Sequence, residues 1–297
     1  MKFINTLTSS YLLIFTLGYF GYGQNFDEVT IKTTQVNNNI YMLEGAGGNI
    51  GVSVGDEGVF VIDDQFAPLT PKILAAIKEI SPGEIKFLLN THWHGDHSGG
   101  NENMEKAGAI IMAHHNVRKR LKETPQRDST YRPEEALPII TYEKNMHVHI
   151  NGEEVQVVHV PNAHTDGDSQ LYFTESNVIH MGDTYFNGRY PYIDLSSGGS
   201  IDGYINASRN AIVMIDDNTK IIPGHGALSN KEELSFFFSM LVNIRDLVKK
   251  EIAAGKTEDE VANNSEITQV YDRLGYGEGF INSERFRRTI YQSLNQK

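Results

Sequence analysis

Apolar residues in the first part of the chain follow two patterns, one typical of β-strands and one typical of α-helices. Short apolar runs separated by Asn- or Gly-rich turns have the composition and spacing of β-strands joined in hairpins. By contrast, Ile73, Ile77 and Ile80 recur at the spacing of one helix face, and a Ser-Pro-Gly stop signal follows them. These patterns predict strands at 29–34, 40–44, 50–54, 59–62, 85–91 and 109–113, and helices at 71–80, 101–107 and 116–123.

The second part of the chain repeats this order of strands followed by helices. Its strands are predicted at 146–150, 155–160, 169–174 and 178–181, and its helices at 201–215 and 232–252. The region from Thr257 onward is interpreted as shorter amphipathic helices that cover a sheet face. Two such rounds predict an α/β (α+β) chain in which two sheets pack face to face with helices outside them.

Side chains suited to metal binding concentrate directly after one of the predicted strands. The segment reads HWHGDH and holds three histidines within six positions of a chain that has only 11. In an extended segment residues two apart point the same way, so His92 and His94 can reach one ion together. Gly95 lets the chain bend, which allows Asp96 and His97 to face a second point nearby. Imidazole nitrogen and carboxylate oxygen are good ligands for a divalent ion such as zinc.

A metal site at this loop requires further ligands, because the loop alone offers too few. His164, Asp183 and His225 meet the requirement, since each lies in a Gly- or Pro-marked loop just past a β run. The candidates then form two sets of three, with one carboxylate free to bridge. A lone His past a strand is usually a solvated loop residue, but that does not explain a clustered motif with three answering loops. The other histidines show no such pattern.

Composition removes several classes of function. A net charge of −12 without a Lys/Arg run argues against binding to nucleic acid and against adhesion to anionic lipid. The sequence has no cysteine, which excludes disulfides, thiolate metal ligands and a Cys nucleophile. We therefore expect a small-molecule substrate and no stable membrane anchor.

The amino terminus has the pattern of a secretory signal. Lys2 is the only charged residue before Asp27, and the apolar run at 11–20 is too short to span a bilayer as a mature helix. Gly21 and Gly23 fit a cleavage site after residue 23. We expect a signal peptide over 1–23 and a mature hydrolase-type domain over 24–297 that is secreted into the periplasm, as such signals direct.

HWHGDH, followed in order by His164, MGD and PGHG, resembles the motif set of the metallo-β-lactamase superfamily over essentially the whole mature chain. The resemblance implies a four-layer αββα sandwich with a dinuclear metal site at one edge of its two sheets. It assigns one zinc to His92, His94 and His164, a second to Asp96, His97 and His225, and a bridging or completing position to Asp183. The expected cofactor is two Zn²⁺ per chain, with iron or manganese as alternatives.

The resemblance also implies hydrolysis, in which a metal-bound hydroxide attacks a lactam, lactone, ester or thioester carbonyl and Asp96 moves its proton. The largest lactamase subclass has Cys where this chain has Asp183 and Lys where it has Phe186, whereas Asp183 resembles the general hydrolase pattern. We therefore expect weak β-lactamase activity beside another native reaction. The candidate substrate contacts are Arg189, Asn187 and Tyr185.

Three other interpretations stay open. A phosphodiesterase would use the same ligands on a phosphoryl centre. A persulfide dioxygenase shares the fold and the His-x-His-x-Asp-His string but uses one iron held by two histidines and an aspartate, so metal content separates it from a hydrolase. A zinc-binding protein without turnover would not need Asp96 as a proton shuttle.

Overall fold

Two β-sheets form the centre of the protein. The structure is a computed structural model that describes residues 25–126 and 128–296, and the predicted signal peptide at 1–23 lies outside the described residues. The first sheet contains, in spatial order, β1 (Lys32–Asn37), β2 (Ile40–Glu44), β3 (Ile50–Gly55), β4 (Gly58–Ile62), β5 (Ile85–Asn90), β6 (Ile110–His114) and β7 (Ile140–Tyr142). The second contains β8 (Asn145–Ile150), β9 (Glu153–Val160), β10 (Asp168–Phe173), β11 (Val178–His180) and β12 (Lys220–Ile222).

Strand direction determines which loops meet. β1 to β4 are antiparallel, whereas β5, β6 and β7 continue the sheet parallel to β4. In the second sheet β8 to β11 are antiparallel and β12 is parallel to β11. The carboxyl ends of β4 and β5 therefore lie side by side in the first sheet. Those of β9, β11 and β12 share one end of the second.

Helices cover the outer faces of both sheets. In the described part of the chain they are α1 (Thr70–Ile80), α2 (Gly95–Ser98), α3 (Asn101–Lys106), α4 (His115–Glu123), α5 (Ile201–Met214), α6 (Lys231–Ala253), α7 (Glu258–Asn263), α8 (Gln269–Asp272) and α9 (Ser283–Asn295). Ile73 of α1 packs with Leu88 of the first sheet, and Phe286 of α9 shares a core cluster with Ile179 of the second. No helix among these is long and apolar enough to cross a membrane.

Alternation along the strands divides side chains between the layers. In β4, Phe60 and Ile62 face the second sheet, whereas Val59 and Val61 belong to the outer cluster that includes α1. Phe60 meets Phe173 of β10 across the interface between the sheets, with ring centroids 6.4 Å apart. The arrangement is a four-layer αββα sandwich, which confirms the predicted fold class.

The first strand differs from its predicted range of 29–34. A short 3-10 turn at Phe26–Glu28 precedes it, and Lys72 Nζ donates to three backbone carbonyls of residues 26–29 at 2.7 to 2.9 Å. These bonds hold the segment against α1, so β1 begins only at Lys32. β7 was not predicted, because three residues are too few to establish a period. The other predicted strands and helices agree with the structure within one or two residues at each end.

Candidate metal centre

The seven predicted ligands lie in loops at one edge of the two sheets. β5 precedes the histidine motif, β9 precedes His164, β11 precedes Asp183 and β12 precedes His225. Because these strands end at the same edge of the sandwich, side chains that are far apart in sequence meet in space. The motif itself is not extended throughout, since α2 begins directly after His94 and turns Asp96 and His97 away from the first two histidines.

His92, His94 and His164 form the first ligand set. His94 Nδ1 lies 2.8 Å from His164 Nε2. His92 Nε2 is buried beside them and has no hydrogen-bond partner within the described chain. Together with a carboxylate oxygen of Asp183, these ligand atoms all lie within 4.8 Å of one another.

Asp96, His97 and His225 form the second set, and Asp183 lies between the two. His225 Nε2 is 3.4 Å from His97 Nε2 and 3.3 Å from Asp96 Oδ2. Asp183 Oδ1 is 3.0 Å from His97 Nε2, whereas Asp183 Oδ2 is 3.5 Å from His164 Nε2. One carboxylate oxygen thus faces each set, which is the arrangement that a bridging ligand requires.

Oxygen atoms behind four of the imidazoles fix their orientation. The contacts join His92 Nδ1 to Thr91 Oγ1 at 3.0 Å, His94 Nε2 to Asp194 Oδ2 at 3.0 Å, His97 Nδ1 to Asp63 Oδ2 at 2.7 Å and His164 Nδ1 to the Tyr192 carbonyl at 2.8 Å. Such contacts orient the ring and direct its other nitrogen toward an ion.

Asp63 also anchors the loop that carries the histidines. Its carboxylate accepts hydrogen bonds from the Thr91 amide at 2.7 Å and the Thr91 hydroxyl at 2.8 Å. Its backbone adopts a φ of +62°, a region that non-Gly residues seldom occupy, and its side chain is fully buried. Asp63 and Asp194 were not predicted as site residues. Asp63 carries the same signal as the ligands, since it directly follows β4 at the same edge.

Burial and mutual contacts shift the ionisation of the cluster. Burial lowers the pKa of His92 well below its usual range and that of His164 to about 4, so both imidazoles are neutral at pH 7. Burial alone would raise the pKa of Asp183, but His97 and His225 hold it well below its usual range. Neutral imidazole and ionised carboxylate bind a divalent cation, so His92, His164 and Asp183 are in the required protonation states. Burial lowers the pKa of His97 and His225, but Asp183 outweighs it and raises the pKa of His97 well above its usual range and that of His225 to about 9, so these two imidazoles release a proton when they bind an ion.

Unpaired buried atoms test whether these residues fit a metal ion. His92 Nε2 is buried and makes no hydrogen bond within the described residues, and buried Asp183 Oδ1 contacts only the imidazoles of His97 and His225 among them. Leaving such an atom unsatisfied costs about 1–3 kcal/mol, and a cation held by each ligand set would satisfy both. The donors are nitrogen and oxygen only, which fits zinc, manganese or iron. The residues present therefore fit a metal centre.

Asp96 is the more accessible of the two candidate carboxylate ligands. Its side chain is 29% exposed, compared with 5% for Asp183. Burial would raise its pKa, but His97 and His225 lower it to about 2. Asp96 therefore places an ionised carboxylate at the solvent-accessible side of the second ligand set.

Two glycines allow the backbone to approach the ligands closely. A Cβ at Gly48 would lie 1.9 Å from His97 Cε1, and a Cβ at Gly224 would lie 2.2 Å from Asp183 Oδ1. The Gly48 amide also donates to the Asp96 carbonyl at 3.0 Å, so the β2–β3 turn rests directly on the histidine motif. The sequence had indicated hairpin chemistry at this turn, and its contact with the site was missed.

Comparison with known proteins decides the family. The sequence model of the metallo-beta-lactamase superfamily matches residues 35–225, a range that includes both ligand sets and Asp183. This chain belongs to the metallo-beta-lactamase superfamily.

Curated members of the superfamily are similar to parts of the chain. It is 29% identical over 145 residues to a hydroxyacylglutathione hydrolase from Pelagibacter ubique, covering 48% of this chain and 52% of that protein. It is 24% identical over 243 residues to the 2,4-dinitroanisole O-demethylase subunit alpha of a Nocardioides species, covering 81% and 70%. The chain matches about half the length of the curated hydroxyacylglutathione hydrolases.

Solved structures share the fold of this superfamily member. A metallo-beta-lactamase from Pontibacter korlensis matches with a TM-score of 0.63 at 17% identity, over 72% of this chain and 100% of that one. A sec-alkylsulfatase from a Pseudomonas species matches with a TM-score of 0.68 at 17% identity, over 88% of this chain and 50% of that one. At these identities the likeness concerns the fold alone.

Tyr185, a candidate substrate contact, lies inside the protein. Its side chain is fully buried, its hydroxyl is 2.8 Å from Ser229 Oγ and its ring packs against Phe237 with centroids 5.0 Å apart. A side chain without exposed surface cannot touch a substrate. The prediction that Tyr185 contacts the substrate is therefore wrong, and Tyr185 is a packing residue. Sequence reasoning overlooked the alternation at this point, where Phe186 instead faces His225 with ring centroids 5.0 Å apart.

The other two candidate contacts lie nearer the surface. The Asn187 amide nitrogen of the backbone donates to the His225 carbonyl at 2.9 Å, and its side chain donates to the Ala227 carbonyl at 3.2 Å. Asn187 therefore supports the loop that carries His225. Arg189 is exposed and takes part in no ion pair among the described residues.

Proposed function

We propose that the chain is a dinuclear zinc-dependent hydrolase whose substrate is a carboxylic acid derivative: an ester, thioester, lactone or lactam. The observation that carries the proposal is Asp183, which has one oxygen toward each of the two ligand sets. Two sets sharing a carboxylate suit a pair of ions, and the absence of cysteine limits the donors to nitrogen and oxygen.

The residues around the centre have distinct tasks in such a reaction. When bound, the ions lower the pKa of water toward neutrality and polarise the substrate carbonyl. Asp96 is ionised and partly exposed, so its carboxylate can orient the attacking water, accept its proton and return that proton to the leaving group. Asp63 and Asp194 hold His97 and His94 in fixed orientations during these steps.

Relatives favour an acyl substrate. Several are named hydroxyacylglutathione hydrolases, which supports a thioester or related acyl compound. β-Lactam hydrolysis remains part of the proposal, since the carbonyl chemistry is the same. We expect it to be weak, because Asp183 takes the place of the Cys of the largest lactamase subclass.

Metal analysis combined with a substrate panel tests the proposal. We expect one zinc for each ligand set and turnover of at least one of nitrocefin, lactones, thioesters and carboxylic esters. Asp96→Asn should lower kcat by about a hundredfold or more, because an amide cannot accept the proton, while both ions stay bound because the amide oxygen and the other ligands remain. Asp217→Asn, at a side chain that is 95% exposed, is the matched control and should have no effect.

Two results would overturn the hydrolase assignment. One iron per chain together with oxygen uptake on glutathione persulfide would indicate a persulfide dioxygenase. Turnover confined to phosphodiesters would indicate a phosphodiesterase. The complete second ligand set favours two ions over one.

We also propose that the protein is secreted, into the periplasm where the cell has an outer membrane. The support is the signal-like segment at 1–23, with its single early charge and apolar run. Amino-terminal sequencing of protein recovered from the periplasm should begin near Gln24. Recovery of the protein mainly from the cytoplasm, with the segment from Lys2 onward still attached, would contradict the proposal.

A further inference from the structure

A cluster of two aromatic rings and one cation adjoins the first ligand set. It consists of Tyr192, Phe280 and Arg285, and we call it the aromatic–arginine cluster. The Arg285 Cζ lies 5.5 Å from the ring centroid of Tyr192 and 4.9 Å from that of Phe280, and the two rings are 6.0 Å apart at an angle of 88°. Guanidinium groups are attracted to aromatic faces at such distances, so the rings hold the cation in place.

The cluster is joined to the metal ligands through Tyr192. The Tyr192 carbonyl accepts a hydrogen bond from His164 Nδ1 at 2.8 Å. Its ring stacks on His94 with centroids 5.9 Å apart and an interplanar angle of 27°. The cation therefore lies one aromatic ring away from a metal ligand.

The Arg285 guanidinium makes no hydrogen bond to any described residue. The side chain is exposed and enters no ion pair among the described residues, in a chain whose net charge is −12. Stacking occupies the faces of a guanidinium but leaves its N–H edge free for a carboxylate, which it can bind with two parallel hydrogen bonds.

A second cation, Arg189, which makes no ion pair with any described residue, and an exposed ring complete this surface. Arg189 runs beside Gly279, since a Cβ on that glycine would lie 3.6 Å from Arg189 Cβ. Phe280 is 75% exposed although it is a large apolar residue. Phe280 and Arg285 lie beyond residue 225, where the match of the superfamily's sequence model ends.

We propose that the aromatic–arginine cluster is the substrate-selecting wall of the site, and that it takes acyl compounds that carry an aromatic or apolar group and, beyond it, a carboxylate. The inference rests on the proposed hydrolase function. Phe280 and Tyr192 contact the apolar group. Arg285 binds the carboxylate, and the Tyr192 ring separates Arg285 from His94.

Two matched esters test the charge selectivity. The first is the para-nitrophenyl monoester of para-phenylenediacetic acid, which carries a free carboxylate, and the second is neutral para-nitrophenyl phenylacetate. Arg285→Ala should lower kcat/KM for the anionic ester about tenfold, mainly through KM, and change the neutral ester by less than about twofold. Arg285→Lys should keep part of the preference, because the charge remains but the paired donors are lost.

Arg209→Ala is the matched control. Arg209 lies on helix α5 and is also exposed, and its guanidinium lies 5.7 Å from the centroid of the Phe238 ring of α6. It should leave both esters unchanged. Equal effects of Arg285→Ala on the two esters, or no effect, would overturn the inference.

Binding of the dianion para-phenylenediacetate, measured by calorimetry on the full chain, separates the two proposals. If neither ester is hydrolysed but Arg285→Ala weakens dianion binding about tenfold, the hydrolase proposal loses its support and the anion site stands. If dianion binding is undetectable or equal in both proteins, the anion site is wrong whether or not the esters are hydrolysed.

Discussion

Gly48 and Gly95 both lie at the candidate site, but only one of the two positions excludes a side chain. A Cβ at Gly48 would collide with the His97 ring, which Asp63 prevents from moving, whereas a Cβ at Gly95 would meet no atom within 4 Å. We predict that Gly48→Ala abolishes metal binding at the second ligand set, while Gly95→Ala retains both ions. Metal analysis of the two purified variants checks this. Full metal content in Gly48→Ala would mean that the turn can retreat.

Asp63 and Asp64 offer a second comparison between adjacent, fully buried residues. Asp63 supports the His97 imidazole, whereas Asp64 accepts a hydrogen bond from the Gly100 amide at 2.9 Å, and burial raises its pKa well above the usual range. We predict that Asp63→Asn weakens zinc affinity about tenfold to a hundredfold. Asp64→Asn should change it little, because the side-chain oxygen that accepts from the Gly100 amide is retained. Competition with a fluorescent chelator measures the zinc affinity of both variants. Equal affinities would contradict the assignment of Asp63 as the residue that orients His97.

At the scale of elements, the sequence predicted the ligands because each follows a strand end and strand ends can be read from apolar runs. His164, Asp183 and His225 were selected as candidates in this way, and the structure brings them together with the histidine motif. The contact between Asp194 and His94 was not predictable, since it depends on how the loop at Asp194 folds back across the edge of the sandwich. Tyr185 was misassigned for a related reason: the side on which a loop residue faces is set by tertiary packing, not by a local period.

Helix α9 connects the outer layer to the loops of the site. Phe286 of α9 is fully buried and stacks on Tyr190 with ring centroids 4.5 Å apart. We predict that Phe286→Ala lowers the free energy of unfolding by about 3–5 kcal/mol, because a cavity replaces the ring. Val270→Ala, at a side chain that is 64% exposed, should change it by less than about 0.5 kcal/mol. Urea denaturation measures both, and similar midpoints would show that the Phe286 ring contributes little to stability.

At the scale of the molecule, the two sheets contribute to the centre from opposite sides. The histidine motif follows β5 of the first sheet, whereas His164, Asp183 and His225 follow strands of the second. Ions held at both sets would therefore cross-link the sheets at one edge. Without them, His92 Nε2 has no hydrogen-bond partner within the described residues, which costs free energy in the folded state.

Metal removal should therefore destabilise the whole fold and not only stop turnover. An ion at a thousandfold excess over its dissociation constant stabilises the folded chain by about 4 kcal/mol, so chelation should lower Tm on the order of 10 °C. His225→Ala should reduce the chelator-induced shift, because the second set loses a ligand, while His149→Ala at an exposed strand position should preserve it. Differential scanning calorimetry with metal analysis of each sample measures the shift. An unchanged Tm in protein shown to be metal-free would mean that the sheets are held together by their apolar interface alone.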